Sequence, residues 1–140
     1  MTAVINFIID IEPITKKNQL QLGRVGGHYK IFPSKKYRQY ETAATPFCPY
    51  LLIDYPVNIE AHYYRSTRRR VDITNLESAL MDTLVHAGTL SDDNCRIVVS
   101  TDGSRVHYDK DHPRTEVTIT LSGDAEQEFF NVKGGRSWRH

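Results

Sequence analysis

"RRRVDITNLESALMDTLVHAGTLSDD", residues 68–93, begins with three arginines and ends with two aspartates. Between them, Leu76, Leu80, Thr83, Leu84 and Ala87 recur at helical spacing, and Gly88 falls where a left-handed C-terminal cap belongs. The spacing predicts an amphipathic helix with a basic entry and an acidic exit. Thr74-Asn75-Leu76-Glu77 fits a capping box, in which Thr74 accepts from the Glu77 backbone and the Glu77 side chain reaches back. That accounts for Thr74 and Glu77 without any chemistry. Asp72 precedes the expected cap, close to a helix N-terminus that favours negative charge by about 0.3–1 kcal/mol. Asn75, Ala79, Asp82 and His86 form a second stripe, roughly a quarter turn from the leucine face, and a small polar stripe of this kind suits the floor of a cleft.

Outward from this segment the pattern alternates between strand and helix. "PVNIEAHYYR" places Val57, Ile59, Ala61 and Tyr63 on one face of a half-buried strand. "VINFIIDI" (4–11) is a β-branched run of strand length, and alternation on both sides of Gly26–Gly27 predicts a hairpin. "PSKKYRQYETAATPF" opens with helix-starting residues and runs to Pro46, a helix of about three turns. "RIVVST" and "TEVTITLSG" are further strands, separated by "DGSRVHYDKDHPR", which reads as a long polar loop. The sum is an α+β class, a mixed β-sheet packed with two main helices. One domain over residues 1–122 is expected, followed by a C-terminal tail, 123–140, in which Gly134–Gly135 and a shift from acidic to basic composition give no regular pattern.

At 140 residues the chain is large enough for one core without staples. It has no apolar run near the roughly 20 residues that cross a bilayer, and "MTAVINFIIDIEP" lacks the basic start of an export signal. An intracellular protein is expected. Cys48 and Cys95 show no metal or disulfide spacing and read as two buried reduced thiols. Net charge is only +1, but the charges cluster: Lys16–Lys17, Lys35, Lys36 and Arg38, and Arg65 to Arg70 are basic, while Asp92–Asp93 is acidic. Each cluster alone is more readily read as a solvated face.

If Asp72, Asp82, Asp92 and Asp93 meet in one cleft, their repulsion calls for a hard cation such as Mg²⁺. Carboxylates beside arginines are what metal-dependent phosphodiester cleavage uses, the metal for water and leaving group, the arginines for phosphates. The expected helix is about 20 Å long, so Asp72 and Asp93 meet only if the chain doubles back. Asp10 and Glu12, at the end of the first strand, could also reach a cleft, although a strand-end turn is the simpler account.

"PITKKN", "PSKKYRQYE" and the 68–98 segment "RRRVDITNLESALMDTLVHAGTLSDDNCRIV" occur in an order that resembles the RusA family of Holliday-junction resolvases, small dimeric Mg²⁺-dependent endonucleases of bacteria and their phages. The resemblance covers residues 1 to about 122. It implies Asp72 as the first signature acid, Asn75 as the motif asparagine, Asp82 as the mid-helix acid and Asp93 as the last metal-binding acid with Asp92 beside it. It further implies Mg²⁺, with Mn²⁺ as substitute, a homodimer acting on four-way junctions, and a cytoplasmic setting in a bacterial cell or its phage. Lys16, Lys17, Lys35, Lys36, Arg38, Arg68, Arg69 and Arg70 are then expected to hold phosphates without reading sequence. Two positions depart from the family pattern: Thr74 stands where many members carry a second acid, and Ser78 where many carry a lysine. Two other readings therefore stay open, a junction binder that does not cut, and a protein-interaction domain whose charges serve solvation alone.

Overall fold

The computed structural model describes residues 4–15 and 20–122. Lys16, Lys17 and the tail 123–140 lie outside the described residues. Nine elements follow in the order β1 (Val4–Ile9), β2 (Leu20–Val25), β3 (His28–Pro33), α1 (Lys35–Ala44), β4 (Val57–Arg65), α2 (Ile73–His86), β5 (Val98–Ser100), β6 (Arg105–Tyr108) and β7 (Arg114–Leu121). The expected α+β class, with one mixed sheet and two helices, is what the chain adopts.

β4 is the central strand. β7 pairs with it antiparallel on one side and in turn pairs with β1. On its other side β5 and then β6 pair with it in parallel, β5 at Val57 and Asn58 and β6 from His62 to Arg65. β6 lies within the stretch expected to be loop. Four residues are too few for alternation to register in the sequence, and three of the four are exposed, so pairing to β4 rather than burial makes this strand. β2 and β3 form the expected hairpin around Gly26 and Gly27, whose φ values of 57° and 82° match the type I′ turn that a two-residue connection demands.

The alternation in β4 is realised as expected: Val57, Ile59, Ala61 and Tyr63 are buried together with Val117 and Ile119 of β7, Ile9 of β1, and Leu76, Leu80 and Leu84 of α2. α1 contributes Tyr40 and Ala44 to the same core. Its N-cap is Ser34, whose side chain accepts from the Tyr37 amide at 3.1 Å, and it gives way to a 3-10 turn over Thr45–Phe47 at Pro46. Cys48 is half-buried and Cys95 is exposed, which corrects the expectation of two buried thiols. Cys95 sits in a turn that offers nothing to bury it.

α2 begins two residues earlier than its capping box predicts. Asp72 is the N-cap, with extended backbone, and its carbonyl accepts from the Asn75 and Leu76 amides. Thr74 is therefore inside the first turn, and the Thr74–Glu77 reciprocal bonds are not formed. At the other end a Schellman pair closes the helix, with Gly88 N–H donating to Val85 and Thr89 N–H to Leu84. Gly88 has φ 80°, and a Cβ there would lie 2.4 Å from two ring carbons of Tyr50. Gly88→Ala is therefore expected to lower unfolding free energy by about 1–2 kcal/mol from the left-handed backbone alone, and further by displacing Tyr50, as read from a urea midpoint.

The sheet face turned away from the helices is polar. His62 Nδ1 and His107 Nε2 are hydrogen-bonded at 2.8 Å, His62 Nε2 meets Glu60 at 2.6 Å, and the His107 ring stacks on Tyr64. Arg114 lies over Tyr64 and joins Glu116 and Asp109. Partial burial, then the charges of His62 and Arg105, hold His107 below its usual 6.5, with Arg114 adding and Glu116 opposing. The folded protein thus binds that proton more weakly than the unfolded chain. The associated stability is complete above about pH 6.5 and is lost as pH falls. A denaturation midpoint that declines on acidification, with a shallower decline in His107→Gln, is the expected result.

Candidate functional site

The loop from β4 to α2, residues 66–72, must turn a strand into a helix while carrying Arg68, Arg69 and Arg70. Three contacts hold it. Glu12, after β1, accepts from the Ser66 amide at 3.1 Å and from the Ser66 hydroxyl. The Asp109 amide donates to the Arg65 carbonyl at 2.8 Å. The Arg68 guanidinium lies 3.9 Å from the ring centre of Tyr108. A loop pinned at both strands can present several cations without collapsing onto a neighbour.

Between this loop, the segment after β1 and the start of α1 lies a cleft of about 480 Å³. Lys36, Arg65, Arg69 and Arg70 line it, with Glu12 as the one carboxylate and Val71 and Leu76 among the apolar residues. Four cations face one anion, and that anion is already bonded to Ser66. Among the described residues none of these four cations forms an ion pair, so the arginines and aspartates of this region do not cancel one another. The excess suits an anion with several oxygens, such as a phosphodiester backbone.

The expected phosphate-binding residues are thereby sorted. Lys36, Arg69 and Arg70 share the cleft, while Lys35 and Arg38 line a separate shallow depression on α1 and Arg68 is turned to Tyr108. Arg65 and Ser66 belong to the cleft but were not among the expected site residues; their place at the end of a strand that leads into an arginine run is the signal for them. Glu12, read as a strand-end acid that could reach a cleft, anchors one.

The acids are arranged differently from the cations. Asp72, exposed at the α2 N-terminus, receives the Asn75 side chain at 3.4 Å. Asp82 is half-buried, and its charge, after burial and Glu41, helps push the Tyr37 hydroxyl up to about 12. The neighbours on its stripe meet α1 as well: Tyr37 donates to the Ala79 carbonyl at 3.2 Å, and His86 meets Glu41 at 3.5 Å. This stripe is a helix seam, which corrects its reading as a cleft floor. Asp92 and Asp93 are exposed in the turn after α2. There Asp92 accepts from the Asp93 amide at 2.8 Å and, less strongly, from Asn94 at 2.9 Å, and these bonds hold its carboxyl below the usual range.

The α2 helix has 14 residues and is therefore about 21 Å long, with Asp72 at its start and the aspartate pair beyond its end. The chain does not double back. The segment after α2 pairs Leu90 with Ile53, and β5 pairs with β4 at Val57, the end of β4 opposite Arg65. Accordingly, among the described residues no three His, Cys, Asp or Glu side chains gather closely enough to hold a metal ion. Among the described residues, one protomer therefore brings too few carboxylates together for an all-protein metal site. Also among the described residues, no helix is long and apolar enough to cross a membrane.

Glu12→Gln separates two roles. Loss of a negative charge beside a basic cleft would by itself strengthen polyanion binding. If Glu12 instead holds the arginine loop, affinity for DNA falls roughly fivefold, the equivalent of about 1 kcal/mol of lost loop order. A weaker complex in a fluorescence titration, with thermal stability monitored alongside, is the expected outcome.

A family model described as Endodeoxyribonuclease RusA matches residues 10–120 of the 140-residue chain. No curated protein matches the chain.

Proposed function

The chain belongs to the RusA endodeoxyribonuclease family, and from that premise we propose that it resolves four-way DNA junctions as a homodimer, by paired nicks that depend on Mg²⁺ or Mn²⁺. The observation that carries the details is the division of labour along α2, a helix about 21 Å long: a basic cleft and Asp72 at one end, Asp92 and Asp93 beyond the other. A single copy supplies half a site at each end. Two copies related by a two-fold axis bring the acidic turn of one to the basic cleft of the other, and symmetry makes two such sites. A junction, itself nearly two-fold, needs two cuts.

In this reading Lys36, Arg65, Arg69 and Arg70 bind the phosphodiester, and Glu12, Ser66 and Tyr108 keep that set of cations in place. Asn75 holds the Asp72 carboxylate at the helix entry, and Asp92 shapes the turn that offers Asp93. Asp82 acts through the α1–α2 seam as a positioning group. A divalent cation held between Asp72 of one copy and Asp92 and Asp93 of the other would supply water activation and stabilise the leaving oxygen. The cations of the cleft oppose the charge that builds on the phosphate, a role open to Lys36 or an arginine where Ser78 replaces the family's lysine. Residues 1–122 form the nuclease domain in this proposal, with 123–140 as an appended tail, and the protein acts in the cytoplasm of a bacterial host, whether cell- or phage-encoded.

The test is a labelled synthetic four-way junction with Mg²⁺ beside a linear duplex. Symmetric nicks in the junction are expected, absent with chelator, and slowed at least about 100-fold by Asp93→Asn. Affinity should fall with salt by a log–log slope of roughly −3 to −4 per cleft, near −0.9 for each phosphate neutralised. Tight junction binding with no nick under any divalent cation would instead select the binding-only reading raised by Thr74 and Ser78.

A further inference from the structure

We propose that His62 and His107 form a proton-operated latch: the hydrogen bond between their rings holds β6 on β4, and through β6 the arginine loop, and a proton on both rings opens it. The consequence for DNA rests on the reading of the basic cleft as the phosphate-binding surface; the latch itself is judged on the backbone.

β6 has little else to hold it. It is four residues long, three of them exposed, and it pairs with β4 alone. Its half-buried residue is His107, which stands beside Tyr64 in the register and stacks on that ring with centroids 4.5 Å apart. His107 Nε2 lies 2.8 Å from Nδ1 of His62, which is also half-buried. Glu60 fixes the polarity of the pair. Its carboxylate accepts from His62 Nε2 at 2.6 Å, so in the neutral pair Nδ1 accepts and His107 Nε2–H donates. One added proton turns the bond round and keeps it. With two, an N–H faces an N–H between two cations, and no hydrogen bond between these atoms survives.

What the latch holds is the entry to α2. β6 ends at Tyr108, whose ring lies against the Arg68 guanidinium, and the next amide, that of Asp109, donates to the Arg65 carbonyl at 2.8 Å. These are two of the three contacts that fix the loop bearing Arg69 and Arg70. The charges around the pair favour opening by acid. Arg105 stands next to His62 in the β4–β6 register, and Arg114 of β7 lies over Tyr64. Glu116 opposes them, but it is already bonded to Arg114, which also holds the Asp109 carboxylate. A charged His107 therefore meets like charge from two strands and pushes on the tether of Asp109. Burial, then the charges of His62 and Arg105, keep His107 below its usual 6.5, so opening belongs below that pH and the loop stays set above it.

The sign of the effect on DNA separates the latch from bulk charge. Added protons make the surface more positive and by themselves strengthen polyanion binding. The latch predicts the reverse: with chelator present and ionic strength fixed, a labelled four-way junction binds at least about fivefold more weakly at about pH 5 than at about pH 7.5 in a fluorescence titration. Over the same interval the Asp109 amide, corrected for the intrinsic effect of pH on exchange, loses at least about tenfold of its hydrogen-exchange protection, while amides between β4 and β7 keep theirs. His107→Gln is the control, because its carboxamide nitrogen can donate to His62 Nδ1 yet takes no proton in this range. It should keep both protection and affinity on acidification. His107→Ala, with β4–β7 protection intact, should show an open Asp109 amide and weak binding already at the higher pH. Asp109 protection that does not change with pH, that falls equally in His107→Gln, or that is undiminished in His107→Ala overturns the latch. So does a junction affinity that rises on acidification while the Asp109 amide opens, because the arginine loop then does not depend on β6. A chain that binds no DNA at either pH, but loses Asp109 protection as expected, leaves the latch standing and removes the reading of the cleft.

Discussion

A helix is a rigid spacer, and in this protein α2 sets the distance between every group of functional interest. Its 14 residues span about 21 Å, with Asp72 at the start and the Asp92–Asp93 turn beyond the end, a length that no side-chain rotation closes. The strand beside it runs the same course in the other direction, with β6 and the arginine loop at one end of β4 and β5 at the other. Charge separation along the molecule follows from this rod. Cations collect where β4 ends, with Asp72 beside them, the Asp92–Asp93 pair lies where it begins, and the cations of the cleft are not neutralised by either.

The two ends are built with different devices. At the basic end, order comes from contacts distant in sequence: Glu12 on Ser66, Asp109 on Arg65 and Tyr108 on Arg68. Like charges are expensive to crowd, and these anchors hold the chain so that the cations need not spread. At the acidic end, order is local. Asp92 and Asn94 accept backbone amides within two residues, and Ser91 ties the turn to Ile53. A site assembled from both ends joins two rigid parts, and neither part has to fold further to meet the other.

Much of the fold could be read in the residues. The alternation of Val57, Ile59, Ala61 and Tyr63, the leucine face of α2, the glycine pair of the hairpin and Gly88 each specify a local geometry that the tertiary structure keeps. What could not be read depends on partners remote in the chain. β6 is a strand only because β4 offers an edge, and Asp72 rather than Thr74 caps α2 because the arginine loop enters at that point. The stripe of Ala79, Asp82 and His86 has the polarity of a cleft floor, but α1 meets it through Tyr37 and Glu41, and periodicity on one helix says nothing of which neighbour lies on its second face. The arginine run announced the basic cleft, while its carboxylate anchor, Glu12, lies 54 residues from Ser66 and carries no signal of that pairing.

The central claim is that Asp72 and Asp93 act together only across two copies. It is tested by mixing two proteins that are each expected to be inactive, Asp72→Asn and Asp93→Asn, and assaying junction cleavage after subunit exchange. A two-copy site predicts recovery, because a mixed dimer contains one site with both aspartates intact, and single nicks should return to about a quarter of the unsubstituted rate. A mixture as inactive as its two components would contradict the account.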